Sequence, residues 1–212
     1  WARMGWETGK LGYPTSDEIC GLLDGGCVQF FRGGSMYWSP GTDAHPVWGA
    51  IGQAYGKVKW ETSTLGYPTS NESCGLRDNG CFQTFQGGSI YWTPTTGAHY
   101  LRGRILNRWA GMGWEKSTIG YPTSDEICGL KDGGCYQRFA NRNGWMYYSP
   151  ATDTHPVIGS IRDEYAKNGA ENGRYGYPTG PENCRDLPGA RECTQTFQGG
   201  QITWNSASGT RG

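Results

Sequence analysis

No stretch of this sequence is apolar enough to cross a bilayer as a helix, which takes about 20 consecutive apolar residues. Neither charge is in excess: 19 Lys and Arg balance 19 Asp and Glu over 212 residues. Without a basic run or patch, the chain lacks the phosphate-neutralising surface on which nucleic-acid binders depend. It also lacks the polybasic segment that holds an anionic membrane surface. Apolar residues make up only 35 % of the chain, so no large core can form. Leu and Val being scarce, the ten Trp and thirteen Tyr must supply most of the buried area. The chain begins at Trp1 rather than Met and shows no signal peptide, so it reads as a processed or excised piece of a longer product.

What is abundant is glycine, at 36 residues, and repetition. Leu11-Gly12-Tyr13-Pro14-Thr15-Ser16 returns at 65–70, at 119–124 and, altered, as Tyr175-Gly176-Tyr177-Pro178-Thr179, a period of 54 to 56 residues. Self-similarity at a fixed period is the signature of a tandem array whose units lean on their neighbours. Four units follow, over residues 1–44, 45–98, 99–154 and 155–212. Arrays of near-identical units bind or span; one asymmetric catalytic constellation does not arise from them readily.

The eight cysteines fall once per unit as Cys20/Cys27, Cys74/Cys81, Cys128/Cys135 and Cys184/Cys193. A Gly-rich turn separates each pair, so the two thiols meet across a hairpin-like loop. Four local disulfides are expected, and with them an oxidising, extracytoplasmic compartment. Each closes a short loop and contributes about 2.5 kcal/mol in the loop-entropy model. The alternative, zinc, needs four ligands and cysteines two to four residues apart; the wider spacing here, without a companion His pair, argues against it.

Within a unit, apolar residues at 101, 105 and 109, like Val47, Ile51, Tyr55 and Val157, Ile161, Tyr165, form one stripe of a short helix. Pro46 and Pro156 suit its first position. The Leu/Ile-Gly-Tyr-Pro-Thr segment reads as extended chain entering a turn. Two β-rich runs around Gly-Gly, such as 81–85 and 89–93, read as a hairpin. The expected fold is mainly β with short helices: a tandem array of four small antiparallel sheets joined by short helices, stalk-like rather than closed. The residues after Trp204 are expected to lack fixed structure.

These motifs together resemble the LGFP repeat family of actinobacterial cell-envelope proteins. The resemblance rests on Val-x-Gly-x-Ile, Gly-Trp-Glu, Leu-Gly-Tyr-Pro-Thr-Ser, Gly-Gly-Cys-x-Gln-x-Phe, Gly-Gly-Ser-Ile-Tyr-Trp and Gly-Ala-His, in that order, over essentially the whole chain. Tyr stands where the family name has Phe. The fourth copy departs most, with Tyr175 for Leu, Gly180-Pro181 for Ser-Asp and no His. Such repeats are appended to mycoloyltransferases and to N-acetylmuramoyl-L-alanine amidases. The resemblance therefore implies a secreted, wall-associated module with peptidoglycan–arabinogalactan as partner, a catalytic domain on the same parent chain, and no activity or cofactor of its own.

A neutral array that binds glycan uses aromatic faces and planar hydrogen-bonding groups. Tyr37, Tyr91 and Tyr147 each adjoin a second aromatic on a strand, so the two point to opposite faces. Because Thr203 replaces the Tyr in the fourth unit while Trp204 stays, the Trp is expected in the core and the Tyr at the surface. Gln29, Gln83 and Gln137 on the preceding strand either bind ligand or satisfy backbone groups. Glu18, Glu72 and Glu126 either take hydroxyls or cap amides. For Gln and Glu the structural role is favoured. His45, His99 and His155 have no nucleophile signature beside them and suit helix entry. Glu7, Glu61, Glu115 and Glu171 invite a paired-carboxylate glycosidase reading, but one Glu per unit reads as repeat architecture. No metal or catalytic residue is expected. The rival functions are an inert spacer and a protein-binding or inhibitor module.

Overall fold

The computed structural model describes residues 1–212, which form two compact units, Trp1–Gly103 and Arg104–Gly212. The first unit holds two open four-stranded antiparallel sheets. One runs β1 (Ile19–Cys20), β2 (Cys27–Phe31), β3 (Gly34–Ser39), β4 (Asp43–Trp48), and α1 (Gly49–Lys57) follows it. The other runs β5 (Ser73–Leu76), β6 (Gly80–Phe85), β7 (Gly88–Thr93), β8 (Gly97–Arg102). The second unit opens on α2 (Gly103–Gly111), whose first residue closes the first unit. Its sheets are β9 (Ile127–Cys128), β10 (Cys135–Arg138), β11 (Trp145–Ser149), β12 (Asp153–Val157) and β13 (Asn183–Leu187), β14 (Ala190–Phe197), β15 (Gly200–Asn205), β16 (Gly209–Arg211). Between them stands α3 (Gly159–Lys167). In every sheet, strands adjacent in sequence pair with each other, so the mainly-β array of four small sheets joined by short helices is the observed architecture.

Each cysteine pair sits directly across the first two strands, as in Cys20↔Cys27 and Cys184↔Cys193. Their Cα atoms lie 4.0–4.1 Å apart, and all four disulfides form. Such close opposed positions bring two side chains together across an antiparallel pair. In three repeats the loop turns through an aspartate with positive φ, Asp24, Asp78 and Asp132, a conformation that Asp tolerates better than most residues. In the fourth, two extra residues extend the strands to a tight Pro188-Gly189 turn, with Leu187 opposite Ala190.

The helices begin later than the sequence suggests. Pro46 and Pro156 lie in β4 and β12, and the helices start at Gly49 and Gly159. These are edge strands, where a missing N–H breaks no ladder bond. Gly49 has φ +54, a left-handed corner that turns the strand into the helix and that a side chain resists. The residues after Trp204 are also ordered: β16 pairs with β15, with Thr210 opposite Trp204. That strand completes the fourth sheet and satisfies its edge.

The core of the first unit joins α1 to both sheets, through Ile51 and Tyr55, Tyr37 and Val47 of the first, and Phe85 and Ile90 of the second. The second unit repeats this around Ile161, Tyr165, Tyr147 and Ile202. The Leu-Gly-Tyr-Pro segment locks the arrangement. Tyr55 Oη donates to Gly66 O at 2.8 Å, and Tyr165 Oη to Gly176 O at 2.8 Å. Trp109 Nε1 does the same for Gly120 O and Trp1 Nε1 for Gly12 O. The following tyrosine reaches back to the preceding repeat: Tyr67 Oη donates to Leu23 O at 2.6 Å, and Tyr177 Oη to Lys131 O at 2.5 Å.

Candidate functional site

A sheet with α1 against one face and solvent against the other would have one dry side. In the first sheet the covered face is the one that carries Tyr37. Tyr37 faces forward onto α1, with its ring 5.5 Å from Tyr55 and 6.5 Å from Tyr67. Tyr147 meets Tyr165 and Tyr177 in the same way. Tyr37, Tyr91 and Tyr147 are all buried, whereas Trp38 is 37 % exposed. The expected face assignment is therefore reversed for the first repeat, and the surface aromatic there is the Trp. Trp92 and Trp204 pack from the other side onto the cores of their units. The fourth repeat differs because its forward face is polar: the hydroxyls of Thr194 and Thr203 meet at 2.9 Å. Glu192 is held there by Arg185 at 2.6 Å and Arg211 at 3.4 Å. Hydrogen bonding from Arg185, more than any other influence, keeps the Glu192 carboxyl below its ordinary range.

The glutamines look inward. Gln83 and Gln137 are completely buried. Gln83 Nε2 donates to Pro46 O and to Ser70 O, both at 2.8 Å, tying the turn to the preceding repeat. Gln137 Nε2 donates to Ser124 O at 2.8 Å, and Gln29 Nε2 to Ser16 O at 3.0 Å. No solvent-borne ligand reaches the two buried amides. Of the glutamates, Glu72 accepts from Trp48 Nε1 and lies 3.4 Å from Lys10 Nζ, and Glu182 pairs with Arg142 at 3.2 Å. Glu18, Glu72, Glu126 and Glu182 each approach their repeat's disulfide. Disulfide sulfurs carry no thiolate, so these groups form no metal ligand set.

Three of the four carboxylates at the Gly-Trp-Glu turn and its counterparts are also interior, and Glu7 is exposed. Glu61, Glu115 and Glu171 are buried. Burial, followed by the Glu61 charge, holds the Tyr37 phenol well above its usual range. Tyr147 is raised by burial first, with Tyr165 and Glu171 adding to it. His45 Nδ1 lies 2.9 Å from Asn71 Oδ1, and His155 Nε2 lies 2.9 Å from Thr152 O. Burial lowers the His155 pKa.

The residues that sequence reasoning passed over are the tryptophans of that turn. Trp6, Trp60 and Trp114 occupy one place in three repeats and are 54 %, 50 % and 48 % exposed. Each has φ between +52 and +54, a conformation rare for a bulky residue. The signal was present: an indole in a polar turn, belonging to neither a helical nor a strand stripe. In the first unit Trp60 joins Trp48, Ser35, Gln53, Gly52 and Gly56 in lining a groove of about 480 Å³. Beyond Trp48 a second hollow holds Lys10, Glu72 and Trp92, with the Lys10 ammonium 5.1 Å from the Trp48 ring centroid. No helix of the protein is long and apolar enough to cross a membrane.

The family model of the LGFP repeat matches residues 11–63, 65–117, 119–173 and 176–212, nearly the whole chain, and the chain belongs to this family. The matched repeats begin at the Leu-Gly-Tyr-Pro segment, the part that ties each repeat to its predecessor. No curated protein matches the sequence.

Proposed function

We propose that this LGFP-repeat chain is a non-catalytic, exported module that associates with the peptidoglycan–arabinogalactan wall through several weak contacts. The observation that carries the reading is the half-exposed indole at one place in three repeats, Trp6, Trp60 and Trp114. The polarised C–H faces of sugars pack on electron-rich ring faces. A chain of zero net charge offers no net electrostatic attraction to the wall, so short-range ring contacts must supply the affinity. The four disulfides suit an oxidising compartment. Glu61, Glu115 and Glu171 are buried, Glu72 and Glu182 are paired with cationic side chains, and His45 and His155 meet Asn71 and the Thr152 carbonyl, which supports a binding role over a catalytic one. Several such contacts raise overall binding by about 10²–10⁴ over one, where geometry lets them engage together.

Co-sedimentation with purified peptidoglycan–arabinogalactan, beside peptidoglycan stripped of arabinogalactan, tests the reading. The intact chain is expected in the pellet with the complete wall. The triple variant Trp6→Ala, Trp60→Ala, Trp114→Ala is expected largely in the supernatant. A wild-type chain that stays in solution with both materials refutes wall association and leaves the spacer.

A further inference from the structure

We propose that the groove between α1 and Trp60 is a dedicated site for a short, neutral pyranosyl saccharide, so that one place in the first unit contributes more than the recurring indoles do singly. The proposal rests on the glycan reading above but commits to one site and one ligand chemistry.

The first argument is an unexplained weakness in α1. Gly52 and Gly56 lie inside a nine-residue helix, and only Gly56 has a close neighbour to explain it, Trp60 Nε1 at 3.3 Å from where its Cβ would stand. Glycine in a helix interior costs about 0.5–1 kcal/mol relative to Ala. Close packing does not demand glycine at 52: a Cβ there would make ordinary contacts of 3.6 Å with Val47. Its effect is to leave the groove floor bare.

The second argument is the contrast with the second unit. There, Trp145, Arg162 and Ala166 stand where the first unit has Ser35, Gly52 and Gly56. The Arg162 guanidinium lies 5.0 Å from the Trp145 ring centroid. The protein thus fills the corresponding place with its own flat group on an indole, and in the first unit leaves it open beside two indoles. The third argument is chemical. The groove lining carries no charged side chain; the polar groups it offers are the Gln53 amide, the Ser35 hydroxyl and the Trp60 N–H, while Trp48 Nε1 already donates to Glu72 and Tyr55 Oη to Gly66 O. Ring faces with a few neutral donors and acceptors suit the C–H face and hydroxyls of a pyranose, and disfavour a charged ligand. Its volume, about 480 Å³, is that of a small-molecule cleft.

The test is titration of the intact chain with cellotriose and with chitotriose, followed by indole fluorescence and calorimetry. The expected result is saturable binding of at least one of them at one site per chain. Affinity should fall at least tenfold in Gly52→Arg, which places here the residue the second unit uses, and in Trp60→Ala. Trp38→Ala, an exposed indole outside the groove and outside the recurring set, should bind as the wild type does. Gly52→Arg should melt no lower than the wild type, so loss of binding is not loss of fold. No binding of either saccharide, or binding that survives Gly52→Arg, overturns the site. If the wall pellets the chain and Gly52→Arg pellets equally, the site falls and wall association stands. If saccharide binding is present and sensitive to Gly52→Arg while the wall fails to pellet the chain, the site stands and wall association falls.

Discussion

Adding one methyl group at Gly26 should uncouple two repeats. The backbone there, φ −78 and ψ 172, suits any residue, so conformational freedom is not what glycine supplies. A Cβ would lie 2.3 Å from Tyr67 Oη, 2.5 Å from Tyr67 Cζ and 2.8 Å from Trp38 O. Tyr67 must move, and its 2.6 Å hydrogen bond to Leu23 O is lost. That bond contributes about 0.5–1.5 kcal/mol, and forcing atoms into a packed site costs about 1–3 kcal/mol more. Gly26→Ala should therefore cost about 2–4 kcal/mol in all. Tyr67→Phe alone should cost about 1–2 kcal/mol, from the lost bond and the abandoned carbonyl. Because both act on the same oxygen, the double variant should be more stable than the sum of the two by about 1 kcal/mol. Urea denaturation followed by far-ultraviolet circular dichroism reads this as a midpoint shift at constant slope. Gly41→Ala, with nothing near its Cβ, is the control and should stay within about 0.5 kcal/mol. A Gly26→Ala cost below about 0.5 kcal/mol, or additivity within about 0.3 kcal/mol, would refute the contact as a coupling element. The fourth repeat agrees with the argument: Glu192 holds the Gly26 position there, on a face where no tyrosine reaches in.

Alkali should unfold the protein through its buried phenols. Burial raises Tyr37, Tyr55, Tyr147 and Tyr165 above their ordinary range and pushes Tyr177 up to about 12. The folded state then keeps protons that the unfolded state releases, so stability is full below about pH 10 and falls above it. Tyrosinate absorbance should show an early group of tyrosines and a late group that ionises only as the dichroism collapses; one ordinary phase with the fold intact would contradict this. Gln83→Ala leaves one buried and one part-buried carbonyl without their donor and should cost about 2–4 kcal/mol. Gln29→Ala, which loses one bond at a half-buried site, should cost about 1 kcal/mol; equal losses would show the paired bonds to be unimportant. Replacing Cys128 and Cys135 together by Ser should lower stability by about 2.5 kcal/mol with little change in native dichroism, and an unchanged melting temperature would count against the disulfide as a staple.

Local chemistry was legible in the residues. The period located four units, and the Gly-rich turn between paired cysteines placed each disulfide across a hairpin, because a short loop leaves its ends nowhere else to meet. The alternation around Gly87-Gly88 and its counterparts located the central hairpins. The stripe Val47, Ile51, Tyr55 is interior, as its spacing predicts, but it is not one helix, since Val47 lies in β4. A strand turning a left-handed corner at Gly49 into a helix can put the same three side chains on one core. Nothing in the spacing distinguishes the two, and Pro46 is compatible with either an edge strand or a helix start.

Face and reach were decided by tertiary structure. Alternation says that Tyr37 and Trp38 point opposite ways, but not which way is dry. In a unit where α1 and a second sheet cover the forward side, the tyrosine is interior. Likewise no local pattern shows that Tyr67 will cross to Leu23 and so require glycine at 26, or that small residues at 35, 52 and 56 will converge on one groove beside Trp60. Sequence alone determined the repeat, the staples and the strands, since these depend on neighbours a few residues apart. The tertiary structure decided which aromatics are exposed and where a cleft opens, because those depend on what the adjoining repeat lays against each face.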